Sequence, residues 1–227
     1  MPSLPSRIAS VRARIADAAT RSGRNPDDIR LLAVSKTRPA ADIRSAHHAG
    51  LRDFGENYLR EALEKQQALD DLEIVWHFIG GLQSNKTAAV ARSFQWVHSL
   101  SSLKHARRLD AQRPPEMPAM DVCLQVNICN ETSKGGVAPE ELASLAHEVL
   151  ALPHLRLRGL MALPAPTSDL ERQRETFARV RALSEQLRKD GIDLDSLSMG
   201  MSGDLEAAMA EGATIVRIGT ALFGPRK

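Results

Sequence analysis

Short apolar runs alternate with stretches of helical periodicity along almost the whole chain. The runs fall at residues 29–35, 51–55, 74–79, 95–99, 121–128, 155–163, 196–201 and 213–223, which makes eight. Between them, residues 40–49, 57–69, 86–93, 102–111, 139–151, 169–190 and 204–211 space their apolar side chains as one face of a helix does. Strands buried on both faces and alternating with helices predict a parallel α/β sheet. Eight of them predict closure into a (β/α)8 TIM barrel, with an open doubly wound sheet as the competing architecture. No G-x-G-x-x-G pattern follows the first run, which weakens a dinucleotide-binding reading of the open sheet.

The two ends of the chain complete the pattern. Leu4, Ile8, Val11, Ile15 and Ala18 form the apolar stripe of an extra N-terminal helix. Only residues 224–227 follow the last run, so an eighth outer helix is missing, and the N-terminal helix is expected to cover that part of the barrel. The Pro-rich stretch 111–119 is short enough to be a loop, so residues 1–227 are read as a single domain.

Composition narrows the class. The chain has 227 residues, a net charge of +2 with scattered basic positions, and 4% aromatics, so it offers neither a nucleic-acid footprint nor a base-stacking platform. The start lacks the apolar core of a signal peptide, and no run reaches the length of a membrane span. Cys123 and Cys129 lack the spacing of a metal or redox pair and read as thiols in a reducing cytoplasm.

In a barrel, the C-terminal strand ends converge on the face where sites are built. Lys36 stands there, at the end of the first apolar run (IRLLAVSKT). Such a lysine either emerges into solvent or, if desolvated, is a neutral amine able to form a Schiff base with an aldehyde. Arg217 is the second anomaly. Alternation along VRIGT puts Val216 and Ile218 under the outer helices and aims Arg217 and Gly219 into the lumen. A guanidinium there needs an acceptor: a carboxylate such as Glu56, or a ligand's phosphate or ring nitrogen.

Ser202 and Gly203 precede Asp204, which can cap a helix, and such a terminus offers backbone N–H groups to an anion. Gly219 permits close backbone approach next door, and Thr220 adds a hydroxyl. The simpler alternative is that the MSGD segment only caps its helix. His77 reads as a core histidine or an acid/base group, and Lys86 and Lys134 as solvated loop charges or a basic rim. Asn57, Asn127 and Met161 also stand at strand ends. A lysine, a phosphate cradle and a lumenal arginine together describe a site for a phosphorylated aldehyde cofactor, which pyridoxal 5′-phosphate fits.

The motifs AVSKT, FGENY, WHFIGGLQSNK, LQVNI with ETSKGG, RGLMALP, SMGMSGD and VRIGTALFG resemble, in the same order, those of the pyridoxal phosphate homeostasis protein family, over residues 5–226. The resemblance implies a fold-type III barrel like the N-terminal domain of alanine racemase, with pyridoxal phosphate carried on Lys36. It implies phosphate binding by Ser202, Gly219 and Thr220, Arg217 at the pyridine nitrogen, and Asn57 and Met161 lining the ring pocket. Arg38 departs from the lysine that many relatives carry there. The family further implies a cytoplasmic, often monomeric protein that holds the vitamin B6 cofactor and hands it over, with pyridoxal-dependent apoenzymes as partners. An arginine at the ring nitrogen and the lack of an evident second base point to little or no turnover. Neither nucleic-acid nor membrane partners are expected. A racemase of low activity, with His77 as its acid/base group, and a cofactor-free Schiff-base aldolase are the rival readings.

Overall fold

The computed structural model describes residues 2–129 and 135–225. Its strands are β1 (Arg30–Val34), β2 (Asp53–Glu56), β3 (Val75–Phe78), β4 (Trp96–Leu100), β5 (Met120–Val126), β6 (Leu155–Ala162), β7 (Ser196–Ser198) and β8 (Ile215–Ile218). They pair in parallel in sequence order, and β8 closes on β1 with Leu32 opposite Arg217. Each apolar run therefore contains one barrel strand, and the closed order excludes the open sheet.

The helices are α1 (Leu4–Arg21), α2 (Ala40–His48), α3 (Leu59–Ala68), α4 (Thr87–Ser93), α5 (Leu103–Gln112), α6 (Leu142–Leu150), α7 (Leu170–Lys189), α8 (Leu205–Ala210) and α9 (Thr220–Phe223). One run was misread. Residues 213–223 are not one strand: the chain leaves β8 after Ile218 and turns through Gly219 into the short α9. An apolar strand and an apolar helical turn in succession give a single unbroken hydrophobic signal, so periodicity alone does not divide them. Helix α1 packs against α2, α8 and α9, covering the gap left by the short last helix. Its stripe Ile8, Val11, Ile15 and Ala18 is buried as the spacing predicts. The Pro-rich stretch is a loop, tied down by Arg113, whose side chain donates to the carbonyls of Ala91, Phe94 and Pro118.

Alternation along each strand divides the core in two. Val216, Ile218, Phe54 and Phe78 face outward into the apolar shell beneath the helices. Leu32, Trp96, Cys123, Met161 and Ile215 face inward and fill the lumen as a separate cluster. Trp96 plugs the N-terminal end, stacked on His77 at 5.4 Å and flanked by the guanidinium groups of Arg30 and Arg158 at 5.1 and 5.0 Å. Burying each large apolar side chain contributes on the order of 2 kcal/mol, so the shell and the lumen plug make a stiff frame for the opposite end. Among the described residues no helix is long and apolar enough to cross a membrane, and no group of three or more His, Cys, Asp or Glu could hold a metal ion.

Candidate functional site

At the C-terminal end of the barrel, a cavity of about 320 Å³ opens above the lumen plug. Lys36, Asn57, Met161, Ser202, Arg217, Gly219 and Thr220 all line it, with Val34, Ile79, Leu163, Met201 and Gly203 completing the wall. The seven residues that the resemblance assigns to the cofactor thus converge from the ends of β1, β2, β6 and β8 and the loop after β7. Asn127 lies at the end of β5 beside a smaller neighbouring cavity. Lys86 opens onto a separate groove with Tyr58 and Arg60, and Lys134 lies outside the described residues.

Arg217 is 5% exposed. Its Nη1 donates to the Ser198 carbonyl at 2.5 Å and to Ser198 Oγ at 2.8 Å, and its Nη2 to the Ala162 carbonyl at 2.8 Å. The expected alternative partner does not serve it. Glu56 alternates with the inward Gly55, so its carboxylate points out beneath α3, where Lys65 Nζ binds it at 2.7 Å. Among the described residues no carboxylate forms an ion pair with Arg217. Burial pushes its pKa down to about 10, with the charge of Asp204 acting in the opposite sense. Arg217 is therefore a charged group at neutral pH, held by neutral oxygens and facing a cavity, an arrangement that favours an anion or an electron-rich nitrogen.

Below Arg217 a chain of polar groups descends the lumen. His98 Nδ1 lies 2.7 Å from Ser198 Oγ, His98 Nε2 lies 2.9 Å from His77 Nδ1, and His77 Nε2 lies 3.0 Å from Asp53 Oδ1. Burial lowers both histidine pKa values, that of His98 most strongly, so each ring is neutral with one N–H. Because Arg217 only donates, one consistent direction satisfies every atom: Arg217 to Ser198, Ser198 to His98, His98 to His77, His77 to Asp53. His77 is consequently a fully buried member of this chain and does not line the cavity. The shared inward parity of His77, His98 and Ser198 was the sequence signal for this support. Cys123 lies in the same lumen, where burial raises its thiol pKa to about 12 and keeps it protonated.

The two loops expected to serve an anion meet on one side of the cavity. Asp204 stands at the cap of α8 but does not cap it with its side chain; Oδ1 turns back to accept from the Met201 N–H. That hydrogen bond closes the loop around Ser202 and Gly203 rather than occupying the first helical amides. Gly200, at φ 93°, permits the preceding turn, and a Cβ there would stand 2.6 Å from the Ala208 side chain. Helix α1 braces the loop from outside, since Arg14 donates to the Ser202 carbonyl and pairs with Glu206. Arg38 does not enter the cavity wall; it donates to the Gly224 and Pro225 carbonyls and fastens the chain after α9.

These residues fit a flat, phosphorylated aldehyde. Val34, Ile79, Met161 and Leu163 supply apolar walls, Ser202 and Thr220 supply hydroxyl donors, and Lys36 supplies the amine. Asn57 Oδ1 is buried without a hydrogen-bond partner, the condition of a polar group placed for a ligand. Gly80 helps to set Asn57, because a Cβ at Gly80 would lie 2.0 Å from the Asn57 carbonyl oxygen.

Fold and site together define a class. The family model for the N-terminal domain of alanine racemase matches residues 7–227. The pyridoxal phosphate homeostasis protein of Pseudomonas aeruginosa is 59% identical over 226 residues, covering 100% of this chain and 97% of its own. That of Escherichia coli K12 is 50% identical over 222 residues, covering 96% and 95%. PipY of Synechococcus elongatus PCC7942, solved with pyridoxal phosphate bound, superposes with a TM-score of 0.86 at 37% identity, over 98% of this chain and 100% of that one. The chain belongs to the pyridoxal phosphate homeostasis protein family.

Proposed function

We propose that this protein binds pyridoxal 5′-phosphate in the cavity at the C-terminal end of its barrel and takes part in homeostasis of that cofactor, with residues 1–227 acting as one binding domain. In this reading Lys36 accepts the aldehyde. Lys36 would supply the amine that meets the aldehyde of the bound cofactor. Ser202, Gly219 and Thr220 hold the phosphate, Arg217 faces the ring nitrogen, and Asn57 and Met161 border the ring. The observation that carries this reading is the convergence of Lys36, the unneutralised Arg217 and the two hydroxyl-bearing loops on one cavity. The relatives' names and the ligand of PipY support it.

Little or no turnover follows from the same residues. When bound, pyridoxal phosphate supplies an electron sink, strongest with a protonated ring nitrogen. A guanidinium that stays charged at neutral pH donates to that nitrogen and disfavours its protonation. Two-base racemisation also needs an acid/base group opposite the lysine. Tyr58 is 55% exposed on the neighbouring groove, and His77 is committed to His98 and Asp53. Neither lines the cavity, so the racemase reading lacks its second base among the described residues.

Spectrophotometric titration with pyridoxal phosphate, pyridoxal and inorganic phosphate tests the reading. Saturable binding that needs the phosphate, with a covalent absorption band lost in Lys36→Ala, is the expected result. An unchanged band in Lys36→Ala would refute the assignment. Racemisation of any amino acid by the purified protein, abolished by the same substitution, would replace the carrier role with the enzymatic one.

A further inference from the structure

Lys65 is a lysine on the outer helix α3, yet it is 5% exposed. Its Nζ donates to the Ser35 carbonyl and to Glu56 Oε1, each at 2.7 Å, and pairs ionically with Glu61 Oε1 at 2.5 Å. The two carboxylates in turn reach the same stretch of chain. Glu56 Oε1 accepts from Ser35 Oγ at 2.6 Å, and Glu61 Oε1 accepts from the Thr37 backbone N–H at 2.5 Å. The residues on either side of Lys36 are thus gripped by one ionic cluster, buried at Glu56 and Lys65, with three bonds reaching them from outside the barrel while the Lys36 side chain lines the cavity inside.

The backbone between those grips is strained. Thr37 has φ 62° and is, among the described residues, the one non-glycine with positive φ. A β-branched residue disfavours that region strongly, and such strain persists only where the surroundings impose it. Without the turn at Thr37, the chain would continue in the direction of β1. Two contacts hold the turn: the Arg38 N–H donates to the Ser35 carbonyl at 3.1 Å, and the Thr37 N–H donates to Glu61 Oε1.

We propose that Glu61 and Lys65 are positioning residues for Lys36: they hold Thr37 in its left-handed conformation and so pre-set the lysine amine for addition to an aldehyde in the cavity. This rests on the reading of Lys36 as the amine that accepts pyridoxal phosphate. Glu56, Glu61 and Lys65 are not among the residues that line the cavity. The role of the cluster is therefore separable from ligand binding as such.

Glu61 is partly exposed, so Glu61→Ala tests the idea with less risk to folding than replacing the buried Lys65. Two quantities are compared in the full-length protein: the rate of borohydride-trappable addition of pyridoxal phosphate to Lys36, and the affinity for 4′-deoxypyridoxine 5′-phosphate, which lacks the aldehyde. Glu61→Ala is expected to slow trapping at least tenfold while the affinity for the deoxy analogue stays within twofold. Glu61→Gln, which keeps an acceptor oxygen, is expected to retain most of the rate. Thr37→Asn relieves the β-branched penalty in the left-handed region and is expected to restore trapping in the Glu61→Ala background. Unchanged trapping in Glu61→Ala, or parallel loss of trapping and analogue affinity, would overturn the proposal. If Glu61→Ala fails to fold, Glu61→Asp carries the test, because the shorter side chain withdraws the acceptor from the Thr37 N–H: slower trapping with analogue affinity kept is expected, and unchanged trapping overturns the proposal. Wild-type protein that neither binds the analogue nor is trapped would instead count against the cofactor reading itself.

Discussion

Arg217→Met separates a residue kept for a ligand from one kept for the fold. Burial pushes the pKa of Arg217 down to about 10 from the ordinary guanidinium range. At 1.36 kcal/mol per unit this places the cost of burying the charge on the order of 3 kcal/mol. The sign is that of a base whose folded pKa is depressed. The cost is complete below about pH 10 and disappears as pH rises through the unfolded value, so it is fully present at pH 7. Methionine removes that cost but leaves the Ser198 and Ala162 carbonyls without their donor, at roughly 1–3 kcal/mol each. The two effects offset each other to within a few kcal/mol. Thermal unfolding without ligand should therefore move by only a few degrees. With pyridoxal phosphate at 100 times its Kd, wild-type protein gains about 2.7 kcal/mol, or about 5–10 °C for a chain of this length, and Arg217→Met should lose most of that gain. Loss of more than about 5 kcal/mol in the ligand-free variant would show that Arg217 is a structural strut. An undiminished ligand shift would show that it does not face the ligand.

The remaining expectations concern the loops, the lumen and one close approach. Ser202→Ala and Thr220→Ala should each weaken pyridoxal phosphate about tenfold or more while leaving pyridoxal affinity unchanged, as measured by fluorescence titration, since a hydrogen bond to a charged group contributes roughly 1.5–3 kcal/mol. The depressed pKa values of His77 and His98 mean that the unfolded chain takes up their protons first. Folding stability should fall as pH drops below about 6.5, and His98→Asn should flatten that slope in denaturant melts across pH 5–8. Gly80→Ala should destabilise the protein by more than about 2 kcal/mol in urea unfolding and weaken cofactor binding, because its Cβ would stand 2.0 Å from the Asn57 carbonyl oxygen.

Strand order, the covering role of α1 and the inward aim of Arg217 were all legible in the sequence, because parity along a buried strand and spacing along a helix are local signals. The cavity residues were legible for a related reason: each stands at or just beyond a strand's C-terminal end, and closure of the barrel brings those ends together whatever lies between. What escaped were contacts made across the barrel. The partner of Glu56 is Lys65 on the following helix: alternation in FGENY turns the carboxylate outward, but nothing in that motif indicates the buried amine that meets it. The grip of Arg14 on the Ser202 loop joins residues 188 positions apart, a pairing that spacing cannot reveal. Division of 213–223 into β8 and α9 was hidden because both halves are apolar.

Borohydride reduction of the purified protein with pyridoxal phosphate, followed by peptide mass mapping, tests the central claim most directly. One phosphopyridoxyl group is expected on the peptide carrying Lys36, competed by the deoxy analogue. An unmodified Lys36 in folded protein, under conditions that fully trap a known pyridoxal enzyme, would contradict it.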